Sequence, residues 1–180
     1  QRMSELAAEN LRLLQLLNAS KSVVESVILT EVIGNSHNPQ RHTVTIDRGT
    51  YDEAYLGQPV LDAEGLMGQL ITVYDTHSIV LLISDARHAL PVKVLRNGVR
   101  AIAEGTSDFN RLTLRFVPPT ADIEVGDQLV SSGLGGRFPA GYPVGEVSSI
   151  GKTADSEFIN VEVEPSASLN RSTHLLLISS

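Results

Sequence analysis

Acyl transfer is the reaction that the side chains of this sequence come nearest to supporting. A serine nucleophile needs a histidine base and an aspartate to orient that base. The best arrangement the chain offers is Ser131-Ser132-Gly133 with His77 and Asp85. No Gly-Asp-Ser-Gly run is present, and the Gly-x-Ser-x-Gly elbow that exposes a hydrolase nucleophile is missing too. Ser131 to Gly136 therefore reads as turn chemistry between strands. Histidines 37, 42, 77, 88 and 174 are scattered and read as surface loop residues. His37 and His42 are five apart, but Asn38-Pro39 between them marks a loop, and only Asp47 follows as a carboxylate ligand. The absence of cysteine removes thiol catalysis, disulfides and Cys-based zinc or iron–sulfur sites. The expectation is a chain with no catalytic residues, no metal and no cofactor.

Binding to other proteins is the chemistry that remains. Net charge is −7, and the 14 Lys and Arg residues form no cluster; a nucleic-acid binder shows a basic stripe, so no nucleic acid is expected as a partner. The segment Gly133–Gly145 carries five glycines, two prolines, Phe138 and Tyr142. Flexible backbone with aromatic anchors is what a protein-binding edge looks like. Phe138, Tyr142 and Val144 are the partner-docking candidates. Phe138 and Tyr142 could instead plug the end of a barrel, Phe138 above all.

The elements that must position these residues divide in two. Met3, Leu6, Asn10, Leu13, Leu17, Ser20, Val24 and Val27 recur at alternating spacings of three and four, the a and d positions of a heptad. Residues 1–25 are thus expected to form a coiled-coil helix that self-associates through Leu6, Asn10, Leu13 and Leu17. A lone amphipathic helix packed on its own domain is the other reading, but 25 residues span roughly 40 Å, more than a small barrel needs. From Ser26 the period changes to two, with turn residues every 8–12 positions, the pattern of a sandwich or barrel. Twelve candidate strands run from Ser26–Ile33 to His174–Ile178. Leu112, Leu114 and Phe116 alternate on one face, as do Ile159, Val161 and Val163. With only 4% aromatic residues, Val, Ile and Leu must do the packing.

A weak repeat splits this β region. Gly57-Gln58-Pro59-Val60 leads to Gly68-Gln69-Leu70, and Gly126-Asp127-Gln128-Leu129 leads to Gly145-Glu146-Val147. Two small six-stranded barrels follow, expected over 37–105 and 106–180. The first strand, within 26–36, is expected to join the C-terminal barrel, because 41–104 supplies six strands and 112–178 only five. The fold class is mainly β, with a coiled-coil helix ahead of two barrels.

The run Gly126 to Gly145 closely resembles the signature of the bacterial rod shape-determining MreC family. So do Asp47-Arg48-Gly49, Gly57-Gln58-Pro59-Val60, Gly65-Leu66-Met67-Gly68-Gln69 and Glu164-Pro165-Ser166-Ala167-Ser168-Leu169. The resemblance covers nearly the whole chain, and Tyr142 departs from it, standing where many relatives have an aliphatic residue. It implies a non-catalytic periplasmic scaffold of the cell-wall elongation machinery. The implied localisation is the periplasmic face of the inner membrane, with an anchor upstream of a chain that opens in mid-pattern. The implied partners are a further copy in a homo-oligomer, the elongation penicillin-binding transpeptidase, MreD, and MreB across the membrane. The alternative is a ligand- or peptide-binding double barrel related to a degenerate protease. Filled barrel interiors would favour the scaffold, and an open polar cleft between barrels the ligand.

Overall fold

The computed structural model describes residues 26–36, 38–134, 138–151 and 157–179. The expected helix over 1–25, with Leu6, Asn10, Leu13 and Leu17, lies outside the described residues. Among those described, no helix is long and apolar enough to cross a membrane.

Twelve strands follow in chain order: β1 (Ser26–Asn35), β2 (Thr43–Ile46), β3 (Pro59–Leu61), β4 (Leu66–Val73), β5 (Ser78–Leu82), β6 (Ala89–Val94), β7 (Arg100–Asp108), β8 (Arg111–Val117), β9 (Gln128–Ser131), β10 (Pro143–Gly151), β11 (Ile159–Pro165) and β12 (His174–Ser179). They close into two six-stranded barrels, β1-β12-β3-β4-β5-β2 and β10-β11-β8-β7-β6-β9. Both interiors are filled by aliphatic side chains. Val60, Leu66, Leu70, Val80 and Leu175 are buried in the first, and Leu90, Val92, Leu112, Val147 and Val163 in the second.

The expected strand exchange is corrected by this topology. Strand β1 stays in the first barrel, and the strand that crosses over is β12, at the C-terminus. One half of β1 pairs with β12, from Ser26↔Ser179 to Glu31↔His174, and the other half pairs with β2. Strands β6 and β7, counted above with the first barrel, belong to the second, which β6 closes by pairing with β9. The expected boundary at 105/106 thus falls inside β7. The second barrel is one uninterrupted insertion between β5 and β12.

The repeat holds at the level of single hydrogen bonds. Gly57 (φ 83°) and Gly126 (φ 95°) both adopt the left-handed turn that glycine tolerates. The Gly57 N–H donates to Leu70 O and the Gly126 N–H to Val147 O, each at 2.8 Å. In return Leu70 N–H donates to Gln58 O and Val147 N–H to Asp127 O. Gly68 and Gly145 then occupy matching places two residues earlier. A Cβ at Gly68 would strike the Leu81 carbonyl, and one at Gly145 would strike Val163 and the Glu164 carbonyl. Followed round from β3, the first barrel runs β3-β4-β5-β2-β1-β12; from β9 the second runs β9-β10-β11-β8-β7-β6. Strand β12 therefore takes the place of β6.

A buried aspartate braces each crossing between barrels. Asp85, just after β5, accepts the backbone N–H groups of His42 and Arg87 and both the Nε and Nη2 of Arg87, all at 2.8–2.9 Å. Asp62, before β4, accepts Gly65 N–H at 2.9 Å, Ser168 N–H at 2.8 Å and the Ser172 hydroxyl at 2.7 Å on the way back to β12.

One alternation fails. Ile159, Val161 and Val163 are buried as expected, but in β8 Leu112 and Leu114 point inward while Phe116 does not. Val117 pairs with Ile159 and Leu114 with Val161, so two residues, Arg115 and Phe116, stand opposite Asn160. This bulge reverses the facing of the strand end. Phe116, at φ 58°, is turned out to solvent and Val117 takes its place inside.

Candidate protein-docking surface

The nearest approach to catalytic geometry lies at the barrel junction, among residues that were not expected to meet. His42 Nδ1 stands 2.7 Å from Ser84 Oγ, with Asp85 beside them. The aspartate, however, faces the His42 backbone and Arg87, not the imidazole ring. Burial alone would raise the Asp85 carboxyl, but the Arg87 side chain and backbone and the His42 amide hold it down at about 2. Ser84 and His42 are themselves buried, and burial pushes the His42 imidazole below its ordinary value. Its ring stacks on Phe109 at 3.8 Å and 8°. A serine with no access to substrate, beside an aspartate that does not orient the base, makes a junction lock and not a nucleophile. His42 and His88 are thus corrected from surface to buried residues.

The Ser131, His77 and Asp85 arrangement composed and set aside from the sequence is dispersed in the structure. Ser131 donates to Pro139 O at 2.5 Å and accepts Tyr142 N–H at 3.0 Å inside the second barrel. His77 stacks on Tyr74 at 4.6 Å in the β4–β5 turn of the first. Among the described residues no group of three or more His, Asp or Glu could hold a metal ion.

The docking candidates are corrected as well. Phe138 is 4% exposed, and Tyr142 and Val144 are wholly buried. The cause is the Ser131 hydroxyl together with two backbone bonds, Gly141 N–H to Ser131 O and Ser131 N–H to Tyr142 O. These fold residues 139–142 back over the barrel end. Phe138 meets His88 edge-on at 5.9 Å, and burial pushes the Tyr142 hydroxyl up to about 12. All three side chains fill the barrel and none can touch a partner.

Exposed aromatic surface lies elsewhere, in two places. On the second barrel Phe116 is 61% exposed and meets Phe158 edge-on at 5.7 Å. The Arg115 guanidinium sits 4.9 Å from the Phe116 ring and also pairs with Glu104 at 2.8 Å. A bulky residue in the left-handed region is strained by about 1–3 kcal/mol, so the fold holds this ring outward at a cost. The end of the first barrel from which β1 begins carries Tyr51, Tyr55, Leu56 and Tyr74, all exposed. Hydrogen bonds from Thr50 N–H to Tyr74 O and Tyr51 N–H to Asp75 O gather them. The Phe116 site has a signal in the sequence: adjacent apolar residues Phe116-Val117 break a strict alternation and so mark a bulge.

With this geometry in view, the likenesses to known proteins are specific. The family model described as rod shape-determining protein MreC, barrel core, matches residues 32–179. The cell shape-determining protein MreC of Haemophilus influenzae is 44% identical over 176 residues, covering 98% of this chain and 50% of that protein. The chain spans about half the length of the curated relatives it matches. MreC from Pseudomonas aeruginosa, known from a crystal structure, shares 49% identity at a TM-score of 0.84, over 86% of this chain and 100% of that one. A complex between penicillin-binding protein PBP2 and MreC from Helicobacter pylori contains a chain with TM-score 0.65 and 25% identity, covering 86% of this chain and 99% of that one. Two closed barrels, one inserted in the other, and a match that runs from β1 to β12 lead to one conclusion: the chain belongs to the rod shape-determining MreC family.

Proposed function

We propose that this chain is a non-catalytic periplasmic scaffold that self-associates, organises the cell-wall elongation machinery and docks its penicillin-binding transpeptidase through the Phe116 face. The observation that carries the docking face is Phe116 itself, a large apolar ring kept in solvent by a strained backbone while both barrel interiors are filled. Strain of that kind is retained where a contact uses it. Support for the partner comes from the Helicobacter pylori relative, which is found in a complex with PBP2. Self-association is assigned to the heptad seam at Leu6, Asn10, Leu13 and Leu17. Attachment to MreD, contact with MreB across the membrane, and an anchor in the inner membrane complete the reading.

The test is binding of the purified chain to a PBP2-type transpeptidase on a biosensor. Phe116→Ala should weaken binding about tenfold or more, as truncation of an aromatic anchor does. Tyr51→Ala, at the far end of the first barrel, should leave it unchanged. Equal binding by Phe116→Ala and the unaltered chain would refute the assigned face.

A further inference from the structure

A cleft of about 420 Å³ opens where the two barrels meet, between the β1–β2 turn, the turn at 169–173 and Phe109 from the β7–β8 turn. That volume lies in the range of sites that enclose a ligand. Its apolar walls include Val32 and Phe109, its amides Asn35 and Asn170, and its cations Arg41 and Arg171. Among the described residues, no acidic one lines it. Phe109 stands just before β8 and Phe116 near its end, so cleft and docking face are about 20 Å apart along the strand.

Charge bookkeeping singles this cleft out. The chain carries 21 Asp and Glu against 14 Lys and Arg. Arg48, Arg87, Arg96, Arg111 and Arg115 each pair with a carboxylate. Arg41, Arg100 and Arg171 are exposed and form no ion pair among the described residues, and of these Arg41 and Arg171 share the cleft. The acids that brace the crossings, Asp62 and Asp85, turn their oxygens onto backbone N–H groups, Ser172 and Arg87. Two unpaired guanidinium groups beside an acid-free, part-apolar cleft match a carboxylate-bearing chain, to which arginine offers paired donors.

We propose that the cleft between the barrels binds an extended acidic segment of a partner protein, with carboxylates on Arg41 and Arg171 and apolar side chains against Phe109. This site is separate from the Phe116 face, and either could exist without the other.

The test uses the ¹⁵N-labelled chain titrated with the hexapeptide acetyl-(Glu-Ala)3-amide, with acetyl-(Gln-Ala)3-amide as the uncharged probe. Saturable shifts confined to Asn35, Arg41, Phe109, Asn170 and Arg171 are expected with the acidic peptide, and none with its neutral counterpart. The pair Arg41→Gln and Arg171→Gln should weaken binding about tenfold or more with the melting temperature unchanged. Arg100→Gln, an exposed cation outside the cleft, should change nothing. Absence of saturation up to about 5 mM, equal shifts with the neutral peptide, or equal loss with Arg100→Gln would each overturn the proposal.

Discussion

Asp85→Asn isolates the bond set that holds the first barrel to the second. The native carboxylate is 1% exposed and accepts four hydrogen bonds, two from backbone and two from Arg87. An amide of the same shape keeps one oxygen and turns an NH2 group toward either His42 N–H or Arg87 N–H, so donor meets donor. Leaving a buried N–H unsatisfied costs about 1–3 kcal/mol. The Arg87 side chain is 53% exposed, so the lost ion pair adds no more than about 1 kcal/mol. The variant should be about 2–3 kcal/mol less stable, which for a chain of this size lowers the melting temperature by roughly 5–10 °C. An independent route gives the same size. The Asp85 carboxyl sits at about 2 in the fold against about 3.9 in an unfolded chain, equivalent to about 2.6 kcal/mol. Because the folded value is the lower one, this stability is complete above pH 4 and is lost as pH falls toward 2. Urea unfolding followed by circular dichroism at pH 7, 4 and 2 measures both claims. Other depressed carboxyls, such as Asp47 and Asp127, act equally in both proteins and cancel in the difference. A gap below about 0.5 kcal/mol at pH 7, or one that persists undiminished at pH 2, would refute the junction-lock reading.

Three further outcomes are expected. Phe116→Gly should be more stable than Phe116→Ala by about 1 kcal/mol, since only glycine relieves the left-handed backbone; urea midpoints showing the alanine variant equal or better would contradict the strain. Gly145→Ala should lose about 2–3 kcal/mol through overlap with Val163 and Glu164, whereas Gly151→Ala, with open space around it, should stay within about 0.5 kcal/mol in the same thermal scan. Leu13→Ala with Leu17→Ala should shift the chain toward monomer in sedimentation, each leucine costing a few kcal/mol, about 2–5; unchanged mass at micromolar concentration would place the association in the barrels.

Local pattern made the strands legible, and pairing did not follow from it. All twelve strands of the described fold lie where alternation, apolar runs and recurring turn residues put them, because these are properties of one strand and its ends. Which strand closes which barrel is a non-local choice. A count of six against five reported that something crosses, but could not distinguish β1 from β12, since both are apolar and both flank the same opening. The glycine repeat was readable because Gly57, Gly68, Gly126 and Gly145 answer to backbone geometry. The docking candidates were misread because Phe138 and Tyr142 look like anchors by composition, yet both are buried. Only the hydrogen bonds of Ser131, invisible in a sequence, turn them inward. Phe116 was assigned to the core by a rule that a single bulge inverts. His42 was read as a loop residue because its partners, Ser84 and Phe109, lie more than forty positions away.

The insertion of one barrel inside the other also sets an order of assembly. A chain emerging from its N-terminus presents β1 to β5 first, and these five strands cannot close. Strands β1 and β3 must wait as unpaired edges, which other strands are prone to join, until β12 follows the second barrel. The second barrel suffers no such delay, because β6 to β11 are contiguous and complete before the last crossing is made. It can fold while its host is still open, and Asp62 then receives Ser168 and Ser172 as β12 is led home. A product cut short by the few residues of β12 would therefore keep a closed second barrel and display an open first one. The crossing strand thus couples the two barrels in time: the one begun by β1 closes only after β6 to β11 have been made.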